Sequence, residues 1–214
     1  MKLEDSKIFI IHYKKMVDRK NYLNNFFKNI KVSPVWIEDG QREDLTEEVI
    51  KDYYEFNPNI YNRQLSLGEI GCAIGHYQGI KEVVEKNIPY ALFFEDDVIF
   101  NDTFKEDFNS KVKNIPQDFD LVSLGDCCNI GVYGEDVGGG FHRILPPRGR
   151  CGYAHILSLK ACKKLLENLP FQYPIDWHIG HIVCNLDDKF TTYWMHPPLA
   201  FEGSKTGDYH SGLR

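Results

Sequence analysis

Apolar and polar positions alternate in blocks that predict strands and helices in turn. Lys7 to His12 carries the run Ile-Phe-Ile-Ile, rich in β-branched residues, which predicts a buried strand. Asp18 opens a helical stretch to about Asn29, with Tyr22, Phe26 and Ile30 at spacing four. Val32 to Ile37 predicts a second strand, stopped by the turn signal Glu38-Asp39-Gly40. Thr46 begins a helix that runs to about Phe56. Ser66-Leu-Gly-Glu69 has the S-x-x-E form of a capping box, and Ile70, Ala73, Ile74, Tyr77, Ile80 and Val84 keep one helix face apolar to about Lys86. Tyr90 to Phe94 follows as a fully buried strand, ended at once by Glu95-Asp96-Asp97. A helix from Thr103 to Val112 leads to a fourth strand at Phe119–Leu124.

Beyond Gly125 the pattern turns Gly-rich and irregular up to Ser158, with short strands expected near Phe141–Leu145 and Ala154–Leu157. Ser158 caps a helix to about Asn168, Pro174 opens another through Cys184, and Thr191 to Trp194 is a last strand. The tail after Pro198 is expected as a loop. Strands alternating with helices predict an α/β fold with a mostly parallel sheet flanked by helices, as one domain over 1–214: a nucleotide-binding half at 1–126 and an acceptor-side half at 127–214. Such sheets bind ligands beyond the carboxyl ends of their strands. That rule directs attention to His12, Asp39, Glu95 to Asp97 and Gly125-Asp126.

Composition narrows the class. With 43% hydrophobic and 26% charged residues among 214, the chain reads as a globular enzyme able to bury its own core. A formal charge of −6 argues against nucleic acid as a partner, which would demand a concentrated positive face, and against simple docking on anionic lipid. Six cysteines, none in a C-x-x-C pair and with no export signal ahead of them, are expected as free buried thiols without a zinc site. No stretch approaches the roughly 20 apolar residues of a membrane helix. The expectation is a cytoplasmic protein with no transmembrane segment, peripheral membrane contact staying open.

Three consecutive carboxylates at the end of a buried strand are costly unless water or a cation reaches them. In extended backbone Glu95 and Asp97 point the same way, which suits a hard divalent ion, Mn²⁺ or Mg²⁺, that also takes phosphate oxygens. The plainer reading is a solvated acidic turn, as expected of Asp187-Asp188. The place of Glu95-Asp96-Asp97 at the outlet of Ala91-Leu-Phe-Phe94 lifts it above that reading.

These residues carry a resemblance. Leu65-Ser-Leu-Gly-Glu-Ile-Gly-Cys-Ala-Ile-Gly-His76, then Pro89-Tyr-Ala-Leu-Phe-Phe-Glu-Asp-Asp-Val-Ile99, is similar to glycosyltransferase family 25, with its G-E-I-G-C-x-x-S-H element and later E-D-D-V. Asp18-Arg19, Asp39-Gly40, Asp118 to Leu124, Gly152 to Ser158, Lys160-Ala161, Pro174-Ile-Asp176 and Pro197-Pro-Leu199 continue it in order. Gly75 stands where the family usually has Ser, and His155 where it often has Tyr. The resemblance implies a GT-A type, Rossmann-like nucleotide-sugar fold, an inverting mechanism, and a UDP-galactose or UDP-glucose donor. It implies a glycan, glycolipid or glycoprotein acceptor of lipooligosaccharide-like or protein-linked kind. It makes Glu95-Asp96-Asp97 the counterpart of a D-x-D metal motif: Asp97 as direct ligand, Glu95 on metal or ribose, Asp96 in the donor site. GT-A enzymes often add a late histidine to the metal, for which His196 and His210 both qualify by position.

A one-step inversion needs a general base on the acceptor hydroxyl. Asp176, in the first turn of the helix that Pro174 opens, is the first candidate and Asp126 the reserve; a plain helix cap explains Asp176 equally well. Arg19 could hold a phosphate or merely sit on a helix surface. Asp39 could accept from uridine or make an Asx turn. Glu69 is accounted for by its capping box, with a donor-site role added only by the resemblance. Two other classes compete. One is an inactive domain that only binds a nucleotide sugar or glycan. The other is a nucleotidyltransferase, which would open with a Gly-rich basic loop where this chain has Tyr13-Lys-Lys-Met-Val-Asp18.

Overall fold

In the N-terminal part, apolar runs of period two build a sheet with two covered faces. The computed structural model describes residues 1–126, 133–147, 150–185 (backbone alone for 183–185) and 190–210. The first run forms β1 (Lys7–Ile11), followed by α1 (Val17–Asn29), β2 (Val35–Ile37), α2 (Glu47–Tyr53), α3 (Leu67–Glu85) and β3 (Tyr90–Glu95). β2 begins later than expected because Pro34 has no N–H to give a ladder. β4 (Val98–Phe100), α4 (Phe104–Lys111), β5 (Leu121–Ser123), β6 (Glu135–Asp136), β7 (Phe141–Arg143) and β8 (Ala154–Ser158) come next. The chain then forms α5 (Leu159–Glu167), α6 (Ile175–Asn185), β9 (Thr192–Met195), β10 (Ala200–Glu202) and α7 (Gly203–Thr206).

Eight strands make one mixed sheet in the order β2-β1-β3-β8-β5-β9-β7-β6. β1 pairs in parallel with β2 and β3, and β5 with β9; β8 and β7 run against their neighbours. The other six strands share one direction, so the sheet is mostly parallel, as expected. Period two assigns the faces. Ile8, Ile10, Leu92 and Phe94 pack with Leu23 and Phe27 of α1 and Phe104 and Phe108 of α4. Phe9, Ile11, Ala91 and Phe93 pack with α3, α5 and α6 on the other side.

α3 lies close against the sheet because glycines fall every fourth residue on its inner face. A Cβ at Gly79 would come within 2.8 Å of Phe93, and one at Gly75 within 2.8 Å of Ile11. At Gly71 it would come within 2.0 Å of the carbonyl oxygen of Gly40, itself at φ +80° in the loop after β2. Two backbones meet there, so no side chain can turn away. Gly71→Ala is therefore expected to cost about 1–3 kcal/mol and lower the melting temperature by about 2–12 °C. Calorimetry checks this, and an unchanged melting temperature would show that the loop yields freely.

Two expectations need correcting. The tail is not a loop: β10 pairs antiparallel with β4, Glu202 opposite Val98, and α7 follows directly. Three-residue strands hold too little period to read, and these partners lie about a hundred residues apart. Nor are all cysteines free. Cys72 and Cys162 are, but Cys151 is disulfide-bonded, its partner lying outside the described residues with Cys127, Cys128 and the Cys184 side chain. Gly138, Gly139 and Gly140, all at positive φ, make the turn of the β6–β7 hairpin at the far sheet edge. The expected Asp187-Asp188 turn lies outside the described residues. Among the described residues no helix is long and apolar enough to cross a membrane.

Candidate active site

β1, β2 and β3 end side by side, with Ile11 level with both Ile37 and Glu95. The loops beyond these ends, one turn of α3 and the C-terminal tail line an open cleft of about 720 Å³ counted to its rim. His12, Tyr13 and Arg19 line it from the first loop, Asp39 to Arg42 from the second, and Glu95 to Asp97 from the third. Gly71 and Cys72 form its helical wall, and Glu202 and Ser204 come from the tail.

The three consecutive carboxylates have different roles. Asp96 is fully engaged: Oδ1 accepts from Arg19 Nη1 at 2.6 Å, and Oδ2 lies 2.9 Å from both His12 Nδ1 and the Tyr13 N–H. It therefore ties the first loop and α1 to the end of β3. Glu95 and Asp97 have no cationic clamp of this kind: Glu95 Oε1 lies 3.3 Å from His76 Nε2, and Asp97 faces the Ser204 hydroxyl. Burial, with Asp176, Glu202 and Asp96 nearby, pushes the Glu95 carboxyl up to about 8. Burial and then Glu95 push Asp97 up to about 7, against a hydrogen bond from Ser204. Asp97 Oδ1 is buried with no hydrogen-bond partner. Asp96 and Asp97 form the turn between β3 and β4 and do not extend the strand as expected, yet Glu95 and Asp97 line the same cleft, and an orphaned carboxylate oxygen there is what a hard cation would relieve.

The tail closes this corner. The Gly203 N–H donates to Asp97 O at 2.8 Å, and Arg19 donates to His210 O while its guanidinium lies 5.1 Å from the Tyr209 ring. On the other side of Glu95, Cys72, His76 and Glu95 bring a sulfur, a ring nitrogen and a carboxylate oxygen within 4.8 Å of one another. Burial, then the nearby carboxylates, hold the Cys72 thiol protonated, and burial pushes His76 down to about 3. A neutral thiol is a poor ligand for Mn²⁺ or Mg²⁺, so the oxygen pair suits those ions better.

A second, wider cleft of about 1050 Å³ shares Cys72, Glu95 and Glu202 with the first. Asp176 lines it from the first turn of α6, its Oδ2 accepting from the Cys151 N–H at 3.3 Å, and burial raises its pKa. Glu69 lines it too. The capping box with Ser66 forms as expected, and both Glu69 oxygens also accept from Arg63, at 2.6 and 2.8 Å.

The sequence model described as "Glycosyltransferase family 25 (LPS biosynthesis protein)" matches residues 5–137, more than half of the chain. The chain belongs to glycosyltransferase family 25. Among family members, Procollagen galactosyltransferase 1-A of Xenopus laevis is 25% identical over 97% of this chain and 37% of its own length. Procollagen galactosyltransferase 2 of Homo sapiens is 31% identical over 58% of this chain and 21% of its own. A Bos taurus relative named "Probable inactive glycosyltransferase 25 family member 3" is 34% identical over 53% of this chain and 20% of its own. The chain thus spans little more than a third of the length of these relatives, or less. A solved glycosyltransferase involved in glycosylation of the major capsid of PBCV-1 overlays loosely, with a TM-score of 0.40 and 11% identity over 75% of this chain and 64% of that one.

The family-25 motifs divide by physical task. The second glycine of G-E-I-G-C serves close packing and its Glu caps a helix, while the acidic run faces the cleft. Arg19 and Asp39 fall in the first cleft, and Glu69 only on the second. Asp126 lines neither; its Oδ1 accepts from Tyr153 at 2.6 Å. The two late histidines separate: His210 lies beside Arg19, whereas His196 directly follows β9, its ring 5.1 Å from His142 of β7. Sequence reasoning missed Gln41, which donates to the His12 and Glu38 carbonyls and accepts from Lys14 N–H, fixing two loops together. It missed Arg42, 4.5 Å over the Tyr13 ring, and the tail residues Glu202 and Ser204. A polar side chain directly after the Asp-Gly turn was a readable signal for Gln41; nothing local marks the tail.

Proposed function

We propose that this chain transfers galactose or glucose from a UDP-sugar to a hydroxyl of a glycan or glycoconjugate, with inversion and with help from Mn²⁺ or Mg²⁺. One observation carries the reading: Glu95 and Asp97, raised in pKa and with one oxygen orphaned, face a cleft at the carboxyl end of β3. Charge supports it. Asp39, Glu95, Asp96, Asp97 and Glu202 face Arg19 and Arg42 among the lining residues. A diphosphate would meet net repulsion there unless a divalent cation came with it.

Asp97 and Glu95 would hold that ion, with His210 the nearer of the two histidines. When bound it would stabilise the negative charge that develops on the departing UDP. Asp96 keeps Arg19 at the same corner, where the guanidinium adds fixed positive charge. Asp39, and Arg42 over Tyr13, would hold the nucleoside end. Asp176 would take the proton of the acceptor hydroxyl; a carboxylate with a raised pKa is better matched to that task near neutral pH. In this reading residues 1–126 supply most of the donor cleft, and later segments supply the acceptor side.

The test is hydrolysis of UDP-galactose and UDP-glucose without acceptor. Release of UDP is expected with Mn²⁺ and not with EDTA, and equal release in EDTA would overturn the metal-assisted reading. The bovine relative's name favours a second reading, a domain that binds without turnover. That reading predicts Mn²⁺-dependent stabilisation by UDP with no UDP-sugar consumed.

A further inference from the structure

We propose that the second cleft takes a neutral pyranoside, stacked by its C–H face on the indole of Trp177, so that the acceptor is a hexose-bearing glycan and not an amine-bearing peptide side chain. The inference rests on the reading of Asp176 as the group that receives the acceptor hydroxyl. Its own support is a separate set of residues.

Trp177 follows Asp176 on α6 and lines the same cleft, yet 45% of its surface is exposed. An exposed indole is usually mobile; this one is held. Tyr61, from the loop before α3, meets it edge-on with centroids 6.1 Å apart, and the Arg150 guanidinium lies 5.2 Å from the ring centroid. Tyr61 is itself braced edge-on by Tyr173 at 5.9 Å. The result is a rigid aromatic platform beside a carboxylate, with water on its uncovered part. A partner that fits must present a flat apolar face and, at its edge, a hydroxyl. A pyranose ring does both: its axial C–H groups cover an aromatic face and its equatorial hydroxyls reach carboxylates.

The charges of the cleft choose between acceptor classes. A lysine-derived side chain would bring an ammonium that needs a carboxylate of its own. Glu69 is held by Arg63 in a two-pronged pair, and Glu202 by Lys205 at 2.7 Å. Glu95, which both clefts share, is taken by the cation in the donor reading, and Arg150 lies on the same wall as Asp176. Glu95 aside, Arg63, Arg150 and Lys205 offset Glu69, Asp176 and Glu202, and a wall so balanced suits a neutral sugar. An ammonium would have to break an existing pair.

Saturation-transfer NMR with methyl β-galactoside and methyl β-glucoside tests this on the whole chain, both alone and with UDP and Mn²⁺. The donor-free arm does not depend on the nucleotide, so it can fail while the donor reading stands. Transfer to the ring C–H protons is expected in at least one arm. Trp177→Ala should weaken it roughly tenfold, and Trp177→Phe should restore most of it. Near-normal recovery in the Phe variant separates stacking from loss of fold, which circular dichroism of both variants checks. Signal that Trp177→Ala leaves unchanged would overturn the proposal. So would absence of hexoside signal in both arms, or a hydroxylysine peptide that binds in the hexosides' place.

Discussion

Asp176→Asn is expected to bind UDP with Mn²⁺ as the wild type does and to transfer sugar roughly 10²–10⁴-fold more slowly, the usual effect of losing a general base. The substitution keeps shape and the contact with the Cys151 N–H, because an amide oxygen can accept that bond as a carboxylate does. What it removes is the capacity to take a proton. Asp176 stands at the N-terminal turn of α6, where an anionic group is favoured without any catalytic duty, so kinetics must separate the two roles. A helix-capping residue would lower stability and leave turnover of the folded fraction alone. A base lowers kcat with the melting temperature kept. Measured transfer rates at saturating donor decide it, and turnover within a fewfold of wild type would remove Asp176 from the reaction.

Asp97→Ala is expected to abolish the stabilisation that UDP and Mn²⁺ give together. At a hundredfold excess over Kd that stabilisation is about 2.7 kcal/mol, or about 5–10 °C in melting temperature for a chain of this size. The unliganded variant should fold, because the main-chain bond from Gly203 to Asp97 O does not use the side chain. pH adds a signature. The folded values of about 8 for Glu95 and 7 for Asp97 lie above the ordinary 4.5 and 3.8. Between those limits the metal-free folded state holds protons that the unfolded chain has shed. Its stability therefore falls as pH rises from about 4 to 8. A cation must displace those protons, so Mn²⁺ affinity should tighten over the upper part of the same window. Titration calorimetry at pH 6 and pH 8 checks the sign; affinity independent of pH would mean that these carboxyls do not bind the ion.

Much of this was legible along the chain, and the rest fails to be for identifiable reasons. β1, β3 and α3 were readable because each buries a long run whose period is unambiguous, and the Ser66–Glu69 box forms as its spacing predicts. The acidic run was readable as a site because buried β-strand leads straight into charge. The division of labour within it was not. Asp96 looks like its neighbours in sequence, and only the convergence of His12, Tyr13 and Arg19 on it shows that it braces the site. The tail was opaque for a related reason: β10 exists because β4 is there to pair with it, and neither has a period of its own. The aromatic platform is similar, since Tyr61 and Trp177 meet only once α3 and α6 pack on the same face of the sheet. The reversed β8, between β3 and β5, sets that face beside the first cleft and brings Gly152 against Glu95.

The most direct measurement is a crystal grown with MnCl₂ and UDP, with data collected at the manganese absorption edge. The account predicts one anomalous peak within coordination distance of Asp97 and bridged to the diphosphate. A peak bound instead between Cys72 and His76, or nucleotide seated without any metal at the end of β3, would contradict it.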